Sequence, residues 1–155
     1  MTDLVIRETA PGQVPLELLL LADPNESKVR AYLPGCRCFI AVQNEQVLGA
    51  CAVTRPVHGV AELMSIAVCA RQQRSGVGSR LLRAVIDAVR DSGARALEVG
   101  TGSFGYQLAF YQRQGFRVTA IDRDFFVRHY PQPIHEEGIQ LRDMLRLTLE
   151  FAEQA

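Results

Sequence analysis

The chain has 155 residues, 48% hydrophobic and 22% charged, which is enough apolar material for one packed domain and too much for a disordered chain. Its 17 basic side chains balance 17 acidic ones, and a net charge of zero argues against a nucleic-acid partner, which selects a basic surface. The start lacks the basic-then-apolar pattern of a signal peptide, and Pro15–Leu21 is far too short to span a bilayer, so the expected setting is soluble and cytoplasmic, with no membrane partner.

Leu4–Glu8 reads as a first strand, and Pro15–Leu21 and Glu26–Leu33 as short helices, the second stopped by Pro34-Gly35. Cys38–Gln43 and Gln46–Thr54 are strands, and the polar pair Asn44-Glu45 between them reads as a hairpin turn. Ala61–Val68 is a third strand; simple alternation places Met64, Ile66 and Val68 on one face and Leu63, Ser65 and Ala67 on the other. A helix follows over Gly78–Asp91, with Leu81, Leu82, Val85, Ile86 and Val89 on one face and Gly93 as its stop. Strand Ala96–Thr101, helix Tyr106–Gln114 closed by Gly115, and strand Phe116–Ile121 come next. Asp122–Leu141, interrupted by Pro131, Pro133 and Gly138, is expected to be irregular, and Met144–Phe151 to be the last strand. Hairpin strands followed by strand–helix–strand–helix–strand predict a mixed α/β (α+β) sheet with helices on its faces, in a single domain over residues 1–155.

Cys36 and Cys38 stand two apart on one strand face, but no second Cys/His pair at finger-like spacing completes a metal site. With Cys51 and Cys69 they are expected to be free thiols, buried or partly buried, and no metal is expected.

The stretch Gln73-Arg74-Ser75-Gly76-Val77-Gly78 lies between a strand and a helix. A turn there aims backbone N–H groups and the positive end of the helix dipole at one spot, which suits a pyrophosphate. Arg71, Arg74 and Arg80 add charge nearby. A lone Gly-x-Gly is as often an ordinary tight turn. A dinucleotide fingerprint is incomplete because Leu81 stands where its third Gly belongs, and the Gly-Lys-Ser/Thr of a P-loop is absent.

The flanks add weight. Glu62-Leu63-Met64-Ser65-Ile66-Ala67-Val68 precedes this turn, Leu97-Glu98-Val99 follows the helix, and Ala109-Phe110-Tyr111-Gln112-Arg113-Gln114-Gly115-Phe116 comes next. Together these segments, over about residues 38–121, resemble the GNAT superfamily of N-acetyltransferases. The resemblance implies a mixed sheet of six to seven strands, helices on both faces, and a splayed V between two parallel strands that admits the pantetheine arm of acetyl-CoA, the expected cosubstrate. Ile66, Ala67 and Val68 would then pair with pantetheine, the amides of Arg74, Ser75, Gly76, Val77, Gly78 and Ser79 would hold the pyrophosphate, and Gln73 would face it. Many family members carry Asn seven residues before the tyrosine. Here that position is Phe104, so Ser103 or Tyr106 is expected to make the contact instead.

Acetyl transfer to the expected acceptor, an amine of a small molecule or of a protein, needs a base for the ammonium proton, a donor to the oxyanion, here a backbone N–H of the Ile66–Val68 strand, and a donor to the departing sulfur. By resemblance, Tyr111 is the candidate proton donor; a core tyrosine beside Phe110 is the other reading. Glu98 is the leading base candidate, matching the Leu-Glu-Val of the ribosomal-protein N-terminal acetyltransferases in the family, and Glu62 is the second; each also reads as a solvated strand carboxylate. A fold that binds acyl-CoA as a sensor without turnover is the alternative function.

Asp122-Arg123-Asp124-Phe125-Phe126-Val127-Arg128-His129-Tyr130 is rich in aromatic and charged residues, as acceptor loops often are. Phe125, Phe126 and Tyr130 suit a pocket wall, and Arg128 and His129 suit an anionic group; a structural loop capping the sheet is the competing reading. This segment and Gly138-Ile139-Gln140 resemble those of a set of small, mostly uncharacterised bacterial GNAT proteins. Arg128 or Arg142 would equally suit a homodimer surface, since members of the family are often dimers.

Overall fold

Asn44 and Glu45 both adopt positive φ, 52° and 63°, the two-residue turn whose twist matches that of the flanking strands. In the computed structural model, which describes residues 3–152, this turn joins β2 (Cys36–Gln43) to β3 (Gln46–Thr54) as an antiparallel hairpin. β1 (Val5–Thr9) pairs with the outer edge of β2, and β4 (Val60–Val68) pairs antiparallel with β3. β5 (Ala96–Gly102) is parallel to β4, and β9 (Met144–Glu150) inserts antiparallel between β5 and the edge strand β6 (Arg117–Asp122). The result is a seven-stranded mixed sheet in the order β1-β2-β3-β4-β5-β9-β6.

Two irregularities in β4 shape the centre of this sheet. Its parallel ladder with β5 runs only from Val60↔Ala96 to Leu63↔Val99, after which the strands part. This is the expected splayed V. On the other edge of β4, Val53 is opposite Leu63 and Ala52 is opposite Ser65, so Met64 is an extra, bulged residue. The bulge corrects the simple alternation: Leu63 and Ile66 join one core cluster, while Met64 packs in the other, with Ala52, the partner of Ser65.

Helices cover both faces. α1 (Leu16–Ala22) and α2 (Glu26–Tyr32) bury Leu18, Leu19 and Val29 against Cys38, Ile40, Ala50 and Ala52. α2 starts at Asn25, whose side chain accepts a hydrogen bond from Lys28 N–H at 3.2 Å. On the opposite face, α3 (Val77–Asp91) buries the five apolar residues expected of it against Cys51, Val53, Leu97 and Val99. Each such side chain contributes about 1.5–3 kcal/mol by leaving water, enough to fix the helix on the sheet. α4 (Tyr106–Arg113) adds Phe110 and Tyr111 to the same cluster.

The segment expected to be irregular carries regular structure. It forms α5 (Phe125–His129) and a two-stranded ribbon, β7 (His135–Glu136) with β8 (Ile139–Gln140), turning through Glu137 and Gly138, both at positive φ. The prolines fall between these pieces and interrupt none of them.

Cys36, Cys38 and Cys51 are buried free thiols and Cys69 is a partly buried one. Burial raises the pKa of all three buried thiols, Cys38 to about 11, and keeps them protonated. Among the described residues no three His, Cys, Asp or Glu side chains gather as metal ligands, and no helix is long and apolar enough to cross a membrane.

Candidate active site

Where β4 leaves β5, its open edge carries backbone groups with no strand beside them. Cys69 N–H donates to Leu48 of β3, so by alternation Ile66 and Val68 turn their N–H and C=O groups to the open edge, while Ala67 turns its own to β3. Gln73 Nε2 donates to Val68 O at 3.2 Å and so ties the following turn to this edge. In that turn Arg74 has φ 67° and Gly76 φ 90°, and Gly76 caps α3. A side chain at Gly76 would meet no atom within 4 Å, so what requires glycine there is the left-handed backbone rather than space. The amides that open α3 have no acceptor within the helix and face outward at its positive end.

These parts line a cavity of about 320 Å³ between α3 and α4, walled by Ile66, Ala67, Val68, Gln73, Arg74, Gly76, Gly78, Ser79, Tyr106, Gln107 and Phe110, with Leu21 and Ala22 from the end of α1. The donor set suits a coenzyme A: an unpaired strand edge for the amides of pantetheine, then a helix N-terminus for the pyrophosphate.

A second cavity, about 310 Å³, lies between the end of α1, the parted strand β5 and the segment after β6. Its walls include Asp23, Lys28, Met64, Gly100, Thr101, Phe125, Phe126, Tyr130, Glu136 and Met144. Leu21, Ala22 and Gln107 line both cavities, so the two meet at the parting of β4 and β5. Thr101, itself buried, donates to Gln107 Oε1 at 3.4 Å across this junction. A Cβ at Gly100 would run into Met144 Sδ and Cε, so the glycine leaves room for the flexible end of that side chain. Asp23 is 8% exposed; its Oδ1 accepts from Tyr130 Oη at 3.2 Å and from Asn25 N–H at 3.0 Å. Burial raises the Tyr130 pKa, and the Asp23 carboxylate raises it further, so Tyr130 stays a neutral donor.

A family model described as the acetyltransferase (GNAT) family matches residues 9–116. The chain belongs to the GNAT family. It is 41% identical over 136 residues to a Bacillus subtilis (strain 168) protein named an uncharacterized N-acetyltransferase, YvbK, a match covering 87% of this chain and 88% of that one. Among solved structures, an IAA acetyltransferase from Bacillus cereus ATCC 14579 is 39% identical with a TM-score of 0.91, over 96% of this chain and 100% of that one. A GNAT family acetyltransferase from Elizabethkingia anophelis, solved with acetyl-CoA bound, is 35% identical with a TM-score of 0.91, over 96% and 98% of the two chains.

Within this GNAT fold the residues singled out from sequence divide into three groups. The strand and turn residues Ile66, Ala67, Val68, Gln73, Arg74, Gly76, Gly78 and Ser79 line the first cavity together, although the backbone groups of Ala67 turn to β3 and not to the open edge as expected. Ser75 turns both its hydroxyl and its N–H onto Gln72 O, so its amide is not free for the pyrophosphate as expected, and buried Val77 packs beneath the turn with Ala41 and Leu48, leaving only its amide for a ligand. Ser103 lines neither cavity, whereas Tyr106 lines the first and Gln107 lines both.

The acid and base candidates sit apart from both cavities. Tyr111 is 4% exposed, its ring 5.3 Å from that of Phe110 and 5.7 Å from that of Phe116, and burial raises its pKa well above the usual tyrosine range. Glu62 and Glu98 are register partners on the last rung but one of the parallel ladder, and Arg146 of β9 bridges them, Nη1 to Glu62 Oε2 and Nη2 to Glu98 Oε2, each at 3.3 Å. On the loop side, Phe125 and Tyr130 line the second cavity, whereas Arg128 turns outward to Asp122 at 2.5 Å and His129 is exposed with its ring on Phe125.

Sequence reasoning missed Asp23, Lys28, Gln107 and Arg146. Gln107 lies one turn before Tyr111 on α4, a spacing that would have flagged it. Asp23 carries a fainter signal: it caps the C-terminus of α1, where the helix dipole disfavours an anion.

Proposed function

We propose that the chain is an acetyl-CoA-dependent N-acetyltransferase that passes the acetyl group directly from coenzyme A to an amine. The observation that carries this reading is the meeting of the two cavities at the parted strands: one offers backbone donors suited to coenzyme A, the other is lined with polar and aromatic side chains. Acetyl-CoA supplies an activated thioester. Attack by the amine nitrogen forms an N–C bond, breaks the C–S bond, and requires one proton to leave nitrogen and one to reach sulfur.

Roles follow from position. The open edge at Ile66 and Val68 takes the pantetheine as an added strand and offers an N–H to the developing oxyanion, and the amides of Gly76 to Ser79 take the pyrophosphate. Tyr111 is the proton donor to sulfur, on its match to the family position and because its ring neighbour Phe110 walls the donor cavity. Its burial keeps the hydroxyl protonated across the physiological range. Glu98 and Glu62 serve as proton acceptors through water, since Arg146 holds both near Met144 and Gly100 at the rim of the acceptor cavity. Phe125 and Tyr130 bound the acceptor.

Titrating acetyl-CoA and free CoA by calorimetry, then following CoA release across an amine library, tests this reading. Micromolar binding with amine-dependent release is expected. No binding at millimolar acetyl-CoA sinks the reading; binding without release for any amine leaves an acyl-CoA sensor.

A further inference from the structure

Among the described residues Asp23 has no salt-bridge partner, although it is one of three buried polar or charged side chains, with Ser65 and Thr101. A buried carboxylate is ordinarily paired with a cation or neutralised, because desolvating an unpaired charge is expensive. The other carboxylates at the centre of the sheet follow that rule: Glu62 and Glu98 share Arg146 and are more exposed. Asp23 instead has two neutral donors, Tyr130 Oη and Asn25 N–H, and lines the acceptor cavity beside Ala22, which lines both cavities. Burial raises the pKa of the Tyr32 hydroxyl, and the Asp23 carboxylate adds to the rise.

The wall next to Asp23 is aromatic. Phe125 and Phe126 meet edge to face at 5.2 Å, and Phe126 stacks on Tyr130 at 6.0 Å. A cation already rests on these rings: Lys28 Nζ lies 5.1 Å from the Phe125 centroid and 5.4 Å from that of Tyr130. These are the separations at which a ring face attracts an ammonium. The cavity therefore has a carboxylate without a cation and ring faces whose cation is supplied by a long, flexible side chain.

We infer that Asp23, Phe125 and Tyr130 form an ammonium-binding subsite, that the ammonium of Lys28 is its internal stand-in, and that the acceptor is a small cationic amine that displaces Lys28 and takes Asp23 as its counter-charge. This inference names the substrate class of the proposed transferase and rests on that reading. Glu136 at the cavity rim adds a second carboxylate, so the lining carries two acidic groups against the single ammonium of Lys28, a balance that favours a cation over an anionic acceptor.

The test uses tetramethylammonium, which no transferase can acetylate, titrated by calorimetry into the CoA-saturated chain against equal sodium chloride. Saturable binding is expected, weakened roughly tenfold or more in Asp23→Asn and a few-fold in Tyr130→Phe, which removes only the hydroxyl. Lys28→Met is expected to strengthen it several-fold, because the internal competitor is gone. Absence of saturable binding, equal binding in Asp23→Asn with CoA affinity intact, or weaker binding in Lys28→Met overturns the subsite. Turnover separates the two proposals. If amines are acetylated with the same KM in Asp23→Asn, the subsite falls and the transferase stands. If tetramethylammonium binds through Asp23 but no amine is acetylated, the transferase falls and the subsite stands.

Discussion

The two cavities are of similar volume and share three wall residues, yet they are built from different material. The donor side is chiefly backbone: an unpaired strand edge, a turn with two left-handed residues, and the opening of α3. The acceptor side is chiefly side chains, brought from α1, α2, β5, α5, the β7–β8 ribbon and β9. Backbone donors recognise what every coenzyme A shares, and they tolerate changes of side chain. A wall of side chains can be replaced one residue at a time, so one fold can hold the donor fixed while the acceptor changes.

Substitutions on each side sharpen that contrast. The largest effect is expected from Tyr111→Phe, which should cut kcat by roughly 10²–10⁴ if the hydroxyl protonates sulfur, with CoA affinity held. Unchanged kcat returns Tyr111 to a purely packing role. Next, Gly76→Val forces a β-branched residue into a left-handed backbone at a cost of roughly 1–2 kcal/mol. About a tenfold loss of CoA affinity by calorimetry is expected, with acceptor KM unmoved. Phe126→Ala is the mirror experiment: about a fivefold rise in acceptor KM, from the loss of about 1 kcal/mol of ring contact, with CoA affinity unmoved. A change in both constants for either variant would break the division between the two sides. Arg146→Met leaves Glu62 and Glu98 facing each other without their cation; since both are partly exposed, urea denaturation should register no more than about 1 kcal/mol. Last, Arg128→Ala should leave both binding constants within about twofold, because its guanidinium is exposed on Asp122.

The same division of material explains what was legible in the sequence. Gly76 and Gly78 announce a local backbone event, and a turn, a helix start and the strand before it can be read from adjacent residues. The hairpin at Asn44-Glu45 and the apolar face of α3 are equally local. The bulge at Met64 was not legible, because no Gly or Pro marks it and alternation appears unbroken. Nor was the placement of β9 between β5 and β6, a pairing between strands far apart in the chain. Phe125, Phe126 and Tyr130 were found by composition, but reading their segment as irregular hid the helix that stacks Phe126 on Tyr130 and turns Arg128 outward. Asp23 lies more than one hundred residues from Tyr130, and only folding shows that one carboxylate serves both the start of α2 and the acceptor wall.

The short parallel ladder also has a mechanical consequence. Four rungs join β1–β4 to the β5–β9–β6 half of the sheet, and beyond Leu63 and Val99 the seam is open. A pantetheine seated on the free edge of β4 would supply the missing rungs and act as a keystone between the two halves. Amide hydrogen exchange at Ile66 and Val68 should then slow sharply when CoA is added, and the protection should spread across the seam into the end of β5, whose edge facing β4 is open. On that view the cosubstrate is a removable part of the sheet, and each turnover briefly loosens the molecule along its midline.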